Sequence, residues 1–267
     1  MSLNQINTTL KVTGYGESRI GGRSENQDSY GYEDTPFGLL VLVCDGMGGG
    51  PGGKTASSIA VREIMAGVIE ASDDNTRTNV LLQAIKRANR AILDAAEADT
   101  SLTGMGTTCT AVLINEDSAI VAHVGDSRVY QLRHHHKVFR TFDHSLVFEL
   151  VKKKIITEEQ ARLSEQSNVI TRALGLKDEI EIETTERPYK KGDKFMLCSD
   201  GIHGSMPEKE LIALATRNED MGKVVDNIAS LVDDKGRKDG GGHDNLTIVM
   251  IETQIKSNLK EKLFKFK

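Results

Sequence analysis

Four short stretches that carry aspartate lie far apart in this chain of 267 residues. Each aspartate stands where an apolar, strand-like segment gives way to glycine or to a turn; the four are Asp28, Asp45, Asp200 and Asp244. Their separation excludes a local loop chelate of the EF-hand kind, so the fold must bring them together from separate strand ends. Clustered carboxylates repel each other unless a cation neutralises them, and hard divalent cations do this best. The chain therefore predicts a metal site assembled by tertiary structure.

The composition is that of an ordinary soluble protein. Apolar residues make up 38% of the chain, charged residues 27%, and the formal net charge is −5. This balance argues against a nucleic-acid-binding surface, which carries a basic excess. Because no run of 18 apolar residues occurs and the start of the chain lacks the features of a signal peptide, we expect no transmembrane helix and a cytoplasmic location. Cys44, Cys109 and Cys198 stand in apolar segments and are predicted to be reduced core thiols.

Hydrophobic periodicity predicts helices near both ends of the chain and strands between them. Predicted helices cover 54–71, 78–98, 208–217 and 221–233, with shorter helical pieces at 145–154 and 157–164. Predicted strands cover 8–17, 39–44, 107–115, 118–124, 128–133, 137–141, 179–185, 194–198 and 246–252. This distribution favours an α+β fold with packed sheets and outer helices over a doubly wound parallel sheet. Since no linker divides the chain, we expect a single domain over residues 1–255.

A glycine-rich loop follows Asp45 and precedes the first long helix. Such a loop lets a ligand approach the main chain closely, and at the start of a helix it can bind phosphate. Residues 48–55 formally match the P-loop pattern Gly-x-x-x-x-Gly-Lys-Thr. Pro51 in the middle of the loop, and the absence of a doubly wound pattern after it, argue against a nucleotide site of this kind.

The stretches taken together resemble the metal-dependent serine/threonine protein phosphatases of the PPM (PP2C) family, in their short bacterial form. The resemblance rests on Gly-Arg-Ser-Glu-Asn-Gln-Asp at 22–28, Cys-Asp-Gly-Met-Gly-Gly at 44–49, Gly-Met-Gly-Thr-Thr at 104–108, Ala-His-Val-Gly-Asp-Ser-Arg at 122–128, Asp-His-Ser at 143–145, Asn-Val-Ile-Thr-Arg-Ala-Leu-Gly at 168–175, Cys-Ser-Asp-Gly at 198–201 and Gly-His-Asp-Asn at 242–245. Eight such strings in the family's order are far more specific than any one of them. The P-loop match is then an accident of glycine content.

The resemblance implies a four-layer α/β/β/α sandwich, in which two antiparallel sheets are flanked by helix pairs. It also implies a metal site for two Mn²⁺ or Mg²⁺ ions. Asp45 would bridge the two ions, and the carbonyl of Gly46 would bind one of them. Asp200 and Asp244 would complete the coordination of the other ion. A third, weaker metal position would use Asp126 together with Asp200.

Two further residues receive roles from the same resemblance. Asp28 would act through a metal-bound water, and Arg23 would grip the substrate phosphate. The chemistry of the residues agrees, because all-oxygen ligands suit Mg²⁺ and Mn²⁺, and a planar guanidinium offers paired donors to phosphate oxygens. Two ions can share a water, lower its pKa and stabilise an in-line attack on phosphorus.

We therefore predict a metal-dependent enzyme that hydrolyses phosphoserine and phosphothreonine in proteins, through a water or hydroxide held between two metal ions. Its substrates would be proteins phosphorylated by a serine/threonine kinase, with no nucleic acid involved. Two alternatives stay open from the residues alone. One is a non-catalytic module of the same family that binds phosphoproteins, and the other is a two-metal hydrolase of small phosphate esters.

The chain departs from the family pattern at two positions. Met47 follows Asp-Gly where several members carry a histidine proposed as a general acid, and Gly204 stands where many members have an aspartate that supports the third metal. His203 is a candidate to face the cleft. His123 is predicted to be a core histidine with its hydrogen bonds satisfied, and Arg128 to form a structural ion pair.

Two segments lie outside the motifs. Residues 142–168 correspond to the family's variable flap beside the active site. Residues 256–267 form a basic tail with Leu259, Leu263 and Phe266 at helical spacing. The tail is predicted to be a terminal helix that frays or packs on the domain, and weak contact with an anionic membrane surface is the alternative.

Overall fold

Two packed antiparallel sheets form the centre of the computed structural model, which describes residues 3–48, 52–72 and 75–259. The strands are β1 (Asn4–Gln5), β2 (Val12–Arg19), β3 (Asp28–Thr35), β4 (Gly38–Met47), β5 (Gly106–Thr107), β6 (Cys109–Ile114), β7 (Ala119–Val124), β8 (Arg128–Arg133), β9 (His136–Arg140), β10 (Glu183–Arg187), β11 (Lys194–Cys198) and β12 (Leu246–Thr253). The helices are α1 (Gly52–Ile69), α2 (Arg77–Ala98), α3 (Leu146–Lys152), α4 (Glu158–Arg162), α5 (Asp200–His203), α6 (Glu208–Ala215) and α7 (Met221–Lys238).

The strand order builds the four-layer sandwich that the sequence predicts. One sheet has the order β1-β2-β12-β11-β8-β9, and the other has the order β10-β7-β6-β4-β3 with β5 paired to β4. Neighbouring strands are antiparallel throughout. The helices α1 and α2 cover the second sheet, and α6 and α7 lie against the first. The expected α+β fold with two antiparallel sheets and flanking helix pairs is confirmed.

The strand β4 carries an unbroken apolar run because both of its faces are buried. Leu40 and Leu42 pack beneath α1 and α2. Val41 and Val43 point to the other side, into the core between the two sheets. Each side chain of this kind contributes about 1.5–3 kcal/mol on burial. The central strand is therefore fixed from two sides, and this positions Asp45 near its end.

The helix α2 shows why the outer layer forms where the sequence predicts it. Val80, Ala84, Ala88 and Ile92 recur at helical spacing and are all buried. Thr76 caps the helix, since its side-chain oxygen accepts a hydrogen bond from the backbone N–H at the third helical position. A cap of this kind contributes about 1 kcal/mol to the stability of a helix.

Several elements differ from the sequence prediction. The edge strand β3 was not predicted, because its sequence Asp-Ser-Tyr-Gly-Tyr-Glu-Asp-Thr is polar and lacks the apolar alternation of a half-buried strand. The strand predicted at 179–185 lies instead at Glu183–Arg187, where pairing with β7 sets its limits. The short helix α5 was also missed, since four residues give no periodicity.

The segment between β9 and β10 contains α3 and α4, which pack on a small core of their own. Val147, Phe148 and Ala161 are its buried members. This core is separate from the three larger ones of the sandwich. The predicted flap at 142–168 thus corresponds to two short helices that lie on the main domain.

The beginning of the predicted tail is attached to the domain. The backbone N–H groups of Ser257, Asn258 and Leu259 donate to the carbonyls of Tyr189, Glu116 and Asp117, each at 2.9 Å. Residues 256–259 are not helical, and the rest of the predicted tail lies outside the described residues. Across the described parts of the chain, no helix combines the length and the apolar character that crossing a membrane requires.

Candidate active site

The aspartates singled out in the sequence meet at one edge of the sandwich. Asp45 lies near the end of β4, Asp200 begins α5 directly after β11, and Asp244 stands two residues before β12. These three and Asp126, which follows β7, line the same cleft. Their elements come from both sheets, so the packing of the sheets brings the carboxylates together.

Asp28 lies below the cleft rather than on its wall. It is the cross-strand partner of Asp45 in the β3–β4 ladder, and only 1% of its surface is exposed. The hydroxyl of Ser199 donates to Asp28 Oδ2 at 2.8 Å. This geometry fits the indirect role that the family resemblance implies, because the side chain approaches the cleft from behind the other carboxylates.

Burial and mutual repulsion raise the pKa values of these carboxyls. Burial raises the pKa of Asp28 from 3.8 to about 7. Burial, followed by the charge of Asp244, raises the pKa of Asp200 to about 6, although a hydrogen bond with Asp45 opposes this. The pKa of Asp45 is raised well above its ordinary value by burial and then by Asp28, and that of Asp126 by burial and then by Asp200. Without a cation, the cluster therefore holds protons.

The donor set fits divalent cations. Among the residues that the structure describes, the Oδ1 atoms of Asp28 and Asp200 are buried oxygens without a hydrogen-bond partner. An unpaired buried carboxylate oxygen is costly, and a bound ion or the water on it removes that cost. The carboxylates and the main-chain oxygen of Gly46 offer oxygen ligands alone, which suit Mg²⁺ and Mn²⁺.

Arg23 stands at the rim of the cleft and forms an ion pair with Asp244. Its Nη2 atom lies 3.0 Å from Asp244 Oδ2, and about half of each side chain is exposed. The loop that carries Arg23 touches the neighbouring main chain, since Gly22 N–H donates to the His243 carbonyl at 2.9 Å. Gly21 has a φ of +63°, and a Cβ there would lie 2.1 Å from the Asp244 carbonyl oxygen. Only glycine permits so close an approach.

Thr108 fixes the backbone of Asp45 on both sides. Its Oγ1 accepts from the Asp45 N–H at 2.9 Å, and its own N–H donates to the Asp45 carbonyl at 2.8 Å. Ser127 Oγ lies 2.8 Å from the same Thr108 hydroxyl. The sequence contains both residues within motif strings, but nothing in the strings indicates these contacts.

Two polar residues behind the cleft have structural roles. Arg128 forms a bidentate pair with Asp143, with both N–O distances at 2.7 Å, which confirms the predicted structural ion pair. His203 is buried, and its Nε2–H donates to the Asp126 carbonyl at 3.0 Å. Burial holds the pKa of His203 well below its usual range. His203 is therefore a neutral imidazole whose hydrogen bond helps to fix the backbone of Asp126. It also lines a smaller pocket beside the cleft.

His123, His144 and Glu183 form a second polar cluster, close enough together to hold a metal by proximity alone. Their hydrogen bonds oppose such an ion. Gly125 N–H donates to His144 Nδ1 at 3.2 Å, and His144 Nε2 lies 3.2 Å from both Glu183 Oε1 and Arg172 Nη1, so both ring nitrogens of His144 already have partners. His123 Nε2–H donates to the Phe142 carbonyl at 2.9 Å, as predicted for a satisfied core histidine. Because these nitrogens already have protein partners, the cluster is a hydrogen-bonded network rather than a ligand set.

The three cysteines are buried and free, as predicted. Burial raises the pKa of Cys198 to about 12, and a contact with Cys109 together with burial raises that of Cys44. Thiols with raised pKa values are poor nucleophiles. Cysteine chemistry is therefore not part of this site, although Cys44 and Cys198 flank its carboxylates in the sequence.

Comparison with known proteins gives the same family as the motifs. A family model described as protein phosphatase 2C matches residues 15–240. The serine/threonine phosphatase stp of Listeria monocytogenes is 32% identical over 237 residues, which cover 87% of this chain and 92% of that protein.

Solved structures agree with the fold. The crystal structure of the serine/threonine phosphatase Stp1 from Staphylococcus aureus has a TM-score of 0.82 at 28% identity, and covers 93% of this chain and 97% of that one. The catalytic domain of the serine/threonine protein phosphatase PstP, in complex with two manganese ions, has a TM-score of 0.77 at 29% identity, with coverages of 90% and 97%. On this evidence, the chain belongs to the protein phosphatase 2C family of metal-dependent serine/threonine protein phosphatases.

Proposed function

We propose that this protein removes phosphate from phosphoserine and phosphothreonine in other proteins, with its catalytic metals held by Asp45, Asp200 and Asp244. The observation that carries the proposal is the convergence of these carboxylates with Arg23 in one cleft. Membership of the family supplies the reaction class. The residue roles and the identity of the ions are the new parts of the proposal.

The metal site takes two Mn²⁺ or Mg²⁺ ions. Asp45, whose pKa is raised by burial and by the neighbouring carboxylates, would be the central ligand of the site. The Gly46 carbonyl, Asp200 and Asp244 would supply the other protein ligands. The two manganese ions in the PstP structure support this count. When bound, such ions lower the pKa of a water and neutralise charge around phosphorus.

The other side chains bind and orient. Arg23 binds two phosphate oxygens through its planar guanidinium. To do so it exchanges Asp244 for the phosphate, and the half-exposed ion pair opposes this only weakly, by about 0–1 kcal/mol. Asp28 Oδ1 accepts a hydrogen bond from a water in the cleft, which orients that water for an in-line approach to phosphorus.

Solvent supplies the proton for the leaving serine or threonine oxygen. The residue after Asp45-Gly46 that lines the cleft is Met47, whose thioether carries no proton to give. His203 is unsuited as well, because its Nε2–H is held by the Asp126 carbonyl and its pKa is lowered. A third metal position at Asp126 and Asp200 is weak in this chain, since Gly204 adds no carboxylate.

The substrates are proteins phosphorylated by a serine/threonine kinase. The cleft is open, and residues Asn168 and Ile170 of the segment that follows α4 line one side of it. Such a site admits a phosphorylated side chain from the surface of a folded protein or from a flexible segment. A small phosphate ester would reach the same phosphate-binding groups without contacting the side of the cleft that Asn168 and Ile170 form.

The test is phosphate release from phosphoserine and phosphothreonine peptides with Mn²⁺ or Mg²⁺. We expect Asp45→Asn and Asp244→Asn to abolish release, and Asp94→Asn, on an exposed face of α2, to leave it unchanged. Release from peptides by the aspartate variants at the normal rate would contradict the site. Binding of phosphopeptide without release by the unaltered protein would favour the non-catalytic alternative, and release from p-nitrophenyl phosphate alone would favour the small-ester hydrolase.

A further inference from the structure

Asn245 connects the two loops that meet at the cleft rim. Only 5% of its surface is exposed. Its Oδ1 accepts from Gln27 N–H at 2.9 Å, and its Nδ2 donates to the carbonyls of Ile20 at 2.7 Å and Glu25 at 2.9 Å. One side chain therefore binds the backbone of the 20–27 loop at three places.

Arg23 lies inside the segment that these three bonds span. The side chain of Asn245 holds the loop on both sides of Arg23, at Ile20 before it and at Glu25 and Gln27 after it. The Arg23 N–H makes a long hydrogen bond to the Ile20 carbonyl, at 3.4 Å. The direction of the guanidinium thus depends on how the loop is fixed at its two ends.

The same residue is covalently joined to Asp244, the proposed metal ligand. Asn245 N–H also donates to Asp244 Oδ1 at 2.8 Å. Its carbonyl is packed against Gly201, where a Cβ would lie only 1.9 Å from the oxygen. The backbone of Asn245 is therefore held in place by the α5 segment that carries Asp200, so its side chain connects the Arg23 loop to a fixed reference point in the metal site.

An amide is required at this position. Two loop carbonyls need donors and one loop N–H needs an acceptor, which is the pattern of a carboxamide. An aspartate would keep the acceptor but would direct an oxygen at two carbonyl oxygens, and would add negative charge beside Asp244. Alanine would leave three loop backbone groups without their side-chain partner.

We propose that Asn245 is a positioning residue that sets the phosphate-binding Arg23 relative to the metal ligands Asp200 and Asp244. The inference rests on the proposed phosphate role of Arg23. Asn245 itself does not touch substrate, because its amide is fully used by the loop. Its loss should impair phosphate binding through Arg23 and leave the carboxylate cluster assembled.

Asn89 offers a matched control in the same chain. It is equally buried, its Oδ1 accepts from Gly175 N–H at 2.8 Å, and its Nδ2 donates to the carbonyls of Lys177 and Asp178 at 2.8 and 3.2 Å. It thus makes the same three bonds to a loop backbone, on α2 and outside the cleft lining. A general effect of losing a loop-binding asparagine would appear equally in Asn89→Ala.

The experiment is a double-mutant cycle in the Mn²⁺-loaded enzyme with a phosphothreonine peptide. We expect Asn245→Ala to raise KM, and the inhibition constant of inorganic phosphate, by about 10- to 100-fold, because a misplaced binding group loses this much. The value of kcat should change less. Asn89→Ala should leave both constants unchanged below its unfolding temperature. In Arg23→Ala, adding Asn245→Ala should raise KM no further, since the residue acts through Arg23.

Three results would overturn the inference. One is an unchanged KM in Asn245→Ala, and another is an effect of the same size in Asn89→Ala. The third is full additivity with Arg23→Ala, which would assign Asn245 a role unrelated to Arg23. An Arg23→Ala variant with unchanged KM and phosphate inhibition would instead remove the proposed role of Arg23, and this inference with it. Should Asn245→Ala not fold, the isosteric Asn245→Asp is expected to give the same rise in KM.

Discussion

Asp28 and Asp45 face each other across the ladder that joins β3 to β4. Asp28 is buried and Asp45 is partly buried, and the charge of Asp28 helps to raise the pKa of Asp45. Directly opposed like charges destabilise a strand pair. The arrangement is stable only with bound protons or with bound cations, and this links the fold to the metal requirement of the family.

We expect bound metal to stabilise the protein strongly. A ligand that binds only the folded chain at 100 times its dissociation constant adds about 2.7 kcal/mol, which for a chain of this size raises the melting temperature by roughly 5–10 °C. Thermal denaturation with excess Mn²⁺ and with EDTA measures the difference. It should vanish in Asp45→Asn, and a full shift in that variant would contradict the role of Asp45.

The Asp28→Asn variant should reduce the pH dependence of stability in the metal-free protein. The pKa of Asp28 is raised to about 7 by burial, whereas the unfolded chain has an aspartate pKa near 3.9. Between these values the folded chain binds more protons than the unfolded one, so its free energy of unfolding falls as pH rises. Asparagine has no proton to lose.

The free energy of unfolding of Asp28→Asn, relative to that of the unaltered protein, should therefore rise by on the order of 2 kcal/mol when the pH is raised from 5 to 8. Urea denaturation in EDTA at the two pH values measures this. The buried histidines titrate in both proteins, so their contribution cancels in the comparison. A gain at pH 5 equal to that at pH 8 would show that the effect does not come from the charge of Asp28.

Removal of Arg128 should destabilise the protein far more than removal of Arg90. Arg128 and Asp143 form a buried bidentate pair, and Arg128→Ala leaves a buried carboxylate without its partner, at a cost of about 3–5 kcal/mol. Arg90 also pairs with several acids, Asp94 and Asp178 among them, but on an exposed face. Its loss should lower the free energy of unfolding far less, because exposed ion pairs contribute little to stability. Equal losses in urea denaturation would contradict this difference between buried and exposed pairs.

Gly201→Ala should inactivate the enzyme even though it lies in a helix. Alanine is favoured over glycine inside a helix by about 1 kcal/mol. At this position, however, the added Cβ would lie 1.9 Å from the Asn245 carbonyl oxygen, so one of the two backbones must move. We expect a loss of phosphate release together with a lower melting temperature. A more stable and fully active variant would show that the contact can relax without cost.

Local patterns predict much of this molecule because the relevant signals are local. The apolar run of β4 and the spacing of Val80, Ala84 and Ile92 in α2 each report burial within a few residues. The strand β3 was missed since its partners, not its own side chains, make it a strand. Leu259, predicted on a terminal helix, instead hydrogen-bonds to Asp117 in the β6–β7 turn, a contact that no local period encodes.

The sequence by itself determined the family and the carboxylates Asp45, Asp200 and Asp244, because the motifs carry them in order and oxygen ligands imply hard cations. Only the tertiary structure decided how these residues are supported. Asn245 holds the loop of Arg23, Thr108 fixes Asp45, and Ser199 binds Asp28. Each of these contacts joins residues more than 60 positions apart, so its partner is set by strand pairing or by the packing of the two sheets, and no pattern along one stretch of chain can contain it.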